Sequence, residues 1–596
     1  MNLLFTHRLC APILAILPIV YFSLPIMALQ SDAQNARLQE ANAAFRSGYD
    51  AASRGDLATA RLRFEHVVQL APTIEEGHSA LGAILCQLGE YPAAIVELEK
   101  ALRLKPADRA AQENLALAYA QSGNAHAALA LFDRLSTSAE APPLTSDLLA
   151  AWARALAAAG QSDMAIAKTR DAIAASPHSA ALYDQLGSLY AQTEHWSQAQ
   201  AAFEEAIQMD ATLAAAHLHL GITLSREQQP LSAVAELTVA TQLAPQNALA
   251  QIELGKALAA ADQDENAVPH LQKAIDLSPP EALLTEAQNQ LAMAWQRLGE
   301  ADKAIPLFRQ VVAAQPRNVS ALSNLAIALI QTGDATTAVD FCRRALAIAP
   351  ADPQVLQDLG IAYLQRSDID DSIQEFRQGL AAAPDNAQLH YNLGLAWKLK
   401  DDLPNAVLEL ETAARLDPSS PDAPYTLGIL YMQSGRFDDA AKNLRAALDR
   451  RPTNGDGWAV LGSIYHQQSK YDEAAAALHK AIDLMPNQPG PHITLASVLQ
   501  EEGKQQEARA ERKMAADLTR VAVNRQRAMF DTNTANSLLQ KGEISDAVSR
   551  YQSAISDDPT YAEAHRRLAM AYEREGRTTD ALEESNRAAA LDTAHR

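Results

Sequence analysis

GDGWAVLGSIYHQQSKYDEAAAALHKAIDLMPNQ, residues 455–488, is the stretch whose spacing decides the fold. Numbered from one, it places Trp458 at position 4, Leu461 at 7, Gly462 at 8 and Tyr465 at 11. These share one face of a helix, and Ala474 at 20, Leu478 at 24 and Ala481 at 27 share one face of a second helix. The small residues at 8, 20 and 27 let two helix backbones approach, and the large ones at 4, 7, 11 and 24 fill the space around them. Pro486 at position 32 lacks the N–H that a continuing helix needs, so it ends the unit.

The same spacing fills residues 285–522 without a slip. Pro316, Pro350, Pro384, Pro418, Pro452 and Pro486 stand 34 apart, so seven units begin near Thr285, Val319, Pro353, Ala387, Pro421, Gly455 and Pro489. A fixed period in this range means a solenoid rather than a globule. Outward from this run, residues 41–142 hold three units from Ala41, Glu75 and Arg109, and residues 146–281 hold four from Ser146, Ala180, Ala214 and Ala248. Pro142–Pro143 and Pro279–Pro280 lie at the seams, where the phase slips by three. Two last units, from Ala528 and Ala562, occupy residues 528–596 and bring the count to sixteen. The second helix of the last unit is polar, with Glu583, Glu584, Ser585 and Arg587, as the uncovered end of an array requires.

Residues 504–527 carry seven basic and three acidic side chains and no proline. They read as one long helix of net charge +4, either a solvated linker or a basic docking strip for an acidic partner or another copy of the chain. At the other end, residues 1–28 read as an export signal: Arg8 precedes an apolar run from Leu9 to Ala28. An uncleaved N-terminal membrane anchor is the other reading of that run. Either way the repeats are expected outside the cytoplasm, in the periplasm or the extracellular space.

Trp458, Leu461, Gly462 and Tyr465, together with Leu427, Gly428, Tyr431, Gly435, Ala440, Ala447 and Pro452 of the preceding unit, resemble the tetratricopeptide repeat (TPR) family. The resemblance implies an all-α, right-handed superhelix of about sixteen helix-turn-helix units closed by a capping helix. It also implies that first helices line a concave face, with positions 2, 5, 9, 12 and 13 pointing towards it, and that the array binds proteins.

Hydrophobic residues make up 48% of the 596 residues but aromatics only 5%, so alanine supplies much of the apolar surface, as close helix pairs need. The net charge of −22 argues against nucleic acid or a general anionic membrane as partner. The sequence contains no phosphate-binding, zinc-protease or nucleophile-elbow motif, so neither catalytic activity nor a cofactor is expected. His78, His217, His390, His492 and His565 all fall at position 4 of units that are not neighbours, which reads as packing rather than metal ligation. Cys86 and Cys342 read as buried free thiols, and Cys10 lies in the leader.

The candidate site is the groove. Position 13 is Gln87, Gln121, Gln192, Gln331, Gln365, Gln433, Gln467 and Gln540. An amide both donates and accepts, so such a row fits the backbone of an extended peptide; glutamine also simply suits the last turn of a helix. The binding residues expected are Gln331, Gln365, Gln433 and Gln467, with Tyr391, Tyr425 and Met432 as anchors. The function expected is a non-catalytic scaffold or adaptor of the cell envelope that takes proteins or peptides, with no metal and no nucleic acid. A membrane is met only through an uncleaved N-terminus, and the oligomeric state stays open. An assembly factor for polysaccharide or pilus export and a cytoplasmic or enzyme-associated TPR subunit are the alternatives.

Overall fold

A computed structural model describes residues 32–137 and 142–594. The leader, residues 1–28, lies outside the described residues. Thirty-one α-helices are found among the described residues, from Asp32–Ser53 to Thr578–Ala594, and no strand. The chain forms two compact units, Met1–Gln315 and Pro316–Arg596.

One repeat shows how the sequence builds a helix pair. The first helix is Gly455–Gln467 and the second Tyr471–Leu484. Asn454 caps the first: its side-chain oxygen accepts from the Gly457 N–H at 3.0 Å, satisfying a donor with no partner inside the helix. Asp108, Asn247, Asn318, Asp352 and Asn386 cap their helices in the same way. A Cβ on Gly462 would lie 2.6 Å from Leu478 Cγ, so only glycine lets these two helices meet here. Ala474, Leu478 and Ala481 are fully buried between them.

The turn after the first helix is equally regular. Position 15 of all sixteen units has positive φ, and ten of the sixteen are glycines, such as Gly435 (φ 75°). The other six are Glu194, Gln228, Asp262, Ser367, Asp401 and Ser469. A left-handed residue is the common way to end a helix while satisfying its last carbonyls.

Within the second compact unit, successive first helices touch: Val319–Gln331 meets Pro353–Gln365, which meets Ala387–Leu399. Second helices pack on the first helices that flank them. First helices therefore line the inner side of the stack. The same holds in the first unit, where Glu75–Gln87 meets Arg109–Gln121.

The seam before Ala528 differs from expectation. The long helix does not end there; it runs from Gln505 to Gln540 over 36 residues. It is the second helix of the unit from Pro489 and, unbroken, the first helix of the unit from Ala528, so sixteen units need only thirty-one helices. The cause is the absence of any glycine or proline between Gly503 and Gly542. Ala508 and Ala515 bury its first half, Ala528, Thr532 and Ala535 its second, and no residue from 516 to 527 is buried.

Candidate functional site: the inner face of the first helices

Neighbouring first helices meet through positions 5 and 6. Ser323 donates from Oγ to Asp358 Oδ2, and Tyr391 Oη lies 3.5 Å from Thr426 Oγ1. Positions 9 and 12 continue that side of each helix by helical spacing. In four successive repeats they hold Ile327 and Ile330, Ile361 and Leu364, Leu395, then Ile429 and Met432, all half-buried. Tyr391, Tyr425 and Met432 are half-buried and pack against one extended core that includes Leu393, Leu427 and Tyr431. Burial raises the Tyr425 phenol above its ordinary value, and Asp456 adds to this.

The glutamines stand at one structural place. Gln331, Gln365, Gln433 and Gln467 are each the last residue of a first helix, and so are Gln87, Gln121, Gln192 and Gln540. Gln331, Gln433 and Gln467 are exposed. Gln365 donates from Nε2 to the Ile330 carbonyl at 3.0 Å, tying one helix end to the preceding repeat.

One carboxylate is buried in the row. Asp358 accepts from Ser323 and, at 2.9 Å, from Gln354 Nε2. Burial pushes its carboxyl up to about 6, against the lowering effect of those two donors. The same side of the first helices in the first compact unit carries polar and ionisable side chains that pair with one another. His219 Nδ1 lies 2.7 Å from Asp184 Oδ1, and Arg154 donates to Gln185 at 3.0 Å. Lys256 reaches Glu253 at 2.9 Å and Glu286 at 3.0 Å.

The position-4 histidines are packing residues with a partner that the sequence reading missed. His78 lies between Glu97 and the Pro72 carbonyl, with Nδ1 2.6 Å from Glu97 Oε2 and Nε2 3.0 Å from the Pro72 oxygen. His217, His390 and His565 bridge Glu236, Glu409 and Glu584 to the carbonyls of Ala211, Pro384 and Pro559. His492 meets Glu511. The glutamate is 19 residues on in every case, a His–Glu offset recurring five times that was the available signal. In the unit from Ala248 the pair is Gln251 with His270, amide and imidazole exchanged. Each pair ties the two helices of a repeat together, and in the four with a carbonyl contact, those of His78, His217, His390 and His565, it also ties them to the repeat before.

Among the described residues no group of three or more His, Cys, Asp or Glu could hold a metal ion. Cys86 and Cys342 are buried free thiols, and burial pushes both up to about 12, far from a reactive thiolate.

Helix pairs on a 34-residue period, with first helices lined up on one side, define a repeat scaffold. Family comparison agrees: a model described as the C-terminal domain of cilia and flagella-associated protein 70 matches residues 310–530. Models described as tetratricopeptide repeat match 532–595 and 180–213, and one described as TPR repeat matches 82–123. The chain is a tetratricopeptide repeat protein, a scaffold for protein–protein interaction. A curated relative is cellulose synthase operon protein C of Xanthomonas axonopodis pv. citri, 32% identical over 182 residues. That match covers 30% of this chain and only 12% of the relative's length. Similar solved structures include YrrB, described as a TPR protein with an unusual peptide-binding site (23% identity, 32% of this chain, 95% of that one, TM-score 0.29). Yeast Tom70 is another (16% identity, 72% of this chain, 97% of that one, TM-score 0.36).

Proposed function

We propose that this chain is an exported scaffold of the cell envelope that holds extended segments of partner proteins along the inner face of residues 319–467. The observation that carries the reading is the half-buried apolar row from Ile327 to Met432, flanked by exposed Gln331, Gln433 and Gln467. Such a surface suits an extended strand whose side chains alternate, apolar ones entering between helices and backbone amides meeting the glutamines. Tyr391, Tyr425 and Met432 are the anchors, because aromatic and apolar groups at the centre of an interface carry most of its energy. Replacing Gln365, Gln433 and Gln467 together with alanine tests the amide row. Captured partners fall away if the row binds backbone; unchanged capture with unchanged melting makes the glutamines helix ends alone.

The envelope location rests on the apolar run from Leu9 to Ala28 behind Arg8. Cell fractionation with sequencing of the mature N-terminus tests it, and full-length protein in the cytosol overturns it. A second reading, an assembly factor of a polysaccharide export machine, is favoured by the similarity to cellulose synthase operon protein C. Co-purification of an export channel after crosslinking distinguishes it from a general scaffold.

A further inference from the structure

The long helix Gln505–Gln540 carries an exposed row that the repeat pattern does not use. Lys513, Ala516, Arg520, Val523, Arg527 and Phe530 follow one another at steps of 3 and 4, and all six are exposed. Phe530 is 70% exposed, a large apolar side chain in water. The steps keep the six on one stripe about 26 Å long. At its end an open cavity of about 500 Å³ is lined by Val523, Gln526, Arg527, Phe530, Asp531 and Asp557. Asp531 is already engaged, by Arg550 at 3.2 Å and Ser553 at 2.7 Å. Arg520 meets only its own neighbour Asp517, at 2.9 Å, in an exposed pair that contributes little.

We infer that this stripe is a second docking surface and that its occupant is an acidic amphipathic helix of a partner protein. Basic and apolar residues alternate along one line. A helix with apolar residues at 3–4 spacing and carboxylates beside them matches that line side chain for side chain. Its apolar row packs on Ala516, Val523 and Phe530, and its carboxylates meet Lys513, Arg520 and Arg527. A bilayer fits less well, because a helix lying on lipid separates its apolar face from its basic one, whereas this stripe would bury its arginines together with Phe530. A second copy laid stripe to stripe would set cation against cation.

The test is an anisotropy titration of the full chain with a fluorescent synthetic helix bearing leucines at 3–4 spacing flanked by glutamates. Saturable binding is expected, weaker at high salt. Phe530→Ala should weaken it by roughly tenfold, and Arg520→Glu with Arg527→Glu should weaken it at least as much. These positions are exposed, so circular dichroism melts of the variants should overlay the wild type. Tyr391→Ala with Tyr425→Ala should leave the titration unchanged, which separates this surface from the inner face. Equal binding of a lysine-for-glutamate control helix, or equal binding by wild type and variants, overturns the proposal. So does wild-type binding to phosphatidylglycerol vesicles without binding to the helix.

Discussion

Along residues 180–286, positions 5, 6 and 9 of successive first helices carry Asp184, His219 and Lys256: Asp184 and His219 meet each other, and Lys256 meets Glu253 and Glu286. Along residues 319–433 the corresponding positions carry Ser323, Ile361, Tyr391, Leu395, Tyr425 and Ile429. The backbone frame is the same in both, with helix pairs and a left-handed residue at position 15 repeating. The difference lies in what the side chains leave over. Charges that pair across neighbouring repeats use up the face they occupy, and removing one leaves the other stranded. Half-buried isoleucines and tyrosines gain further by burial when something covers them. The repeat thus supplies the frame, and the inner positions decide which part of it is a lattice of internal ties and which part is a surface for others.

The largest effect is expected on binding. Tyr391→Ala, Tyr425→Ala and Met432→Ala in one chain should weaken binding of peptides recovered from the wild type by about a hundredfold or more, at one to two kcal/mol for each lost anchor. Asp184→Ala with His219→Ala, in the paired region, should leave that affinity alone and lower the melting temperature. Isothermal titration and melting of both variants settle the matter: an equal loss of affinity in both regions would erase the contrast.

Asp358 is where the two regions exchange roles. It is a carboxylate in the apolar region, placed where His219 stands in the paired one, and it faces a hydroxyl and an amide. Its carboxyl is raised from 3.8 to about 6, so the folded chain holds the proton more tightly than the unfolded chain. Below both values there is no penalty. As pH rises from about 4 to 6 the unfolded state ionises first and stability falls, and above 6 the loss is constant at about 3 kcal/mol. Asp358→Asn keeps both hydrogen bonds without the charge. Denaturant titrations should find this variant more stable than wild type at pH 7.5 and equal to it at pH 3.5. Equal stability at both would mean that water or a movement relieves the ionised form.

Lys256 is the reverse case, a cation that burial lowers but that Glu253 and Glu286 hold above its ordinary value. Lys256→Ala leaves two carboxylates facing one another, and because the pairs are a third exposed the cost should be about 1.5 kcal/mol, shrinking with salt. A melting temperature that does not move with this substitution would make the paired face a bystander.

The frame was legible because it is written many times over. Gly462 against Leu478, a capping Asn or Asp before six of the first helices, and proline at position 32 answer the same steric demands in unit after unit. The inner face was legible as positions: Tyr391, Tyr425 and Met432 pack against one extended core. It was not legible in its bonds, because Gln365 with Ile330 and Ser323 with Asp358 are each 35 residues apart and join different helices. His78 with Glu97 escaped for the same reason, at an offset of 19 that belongs to neither helix. The continuation of the long helix through Ala528 was hidden by the repeat itself, since the markers of a new unit resume there without a break in the backbone. Its exposed stripe follows a period of seven, which a frame of 34 does not display.

The smallest effect lies in the turns. Position 15 requires a left-handed residue, and Glu194 (φ 60°) and Gln228 (φ 59°) meet that requirement with side chains that crowd the backbone. Glycine there removes the strain but adds freedom to the unfolded chain, so Glu194→Gly should stabilise by about 1 kcal/mol, seen as a small rise in melting temperature. Asp401→Gly should gain less, because aspartate tolerates this conformation better. Ser367 (φ 65°) stands two residues after Gln365, whose amide is tied to the Ile330 carbonyl. If its strained turn only closes the repeat, Ser367→Gly raises the melting temperature and leaves peptide affinity unchanged, as Glu194→Gly does in the paired region. If the turn instead sets the angle of the Gln365 helix end, the same substitution weakens binding while Glu194→Gly does not. Measuring both variants for melting and for affinity separates strain that merely ends a helix from strain that aims a binding row.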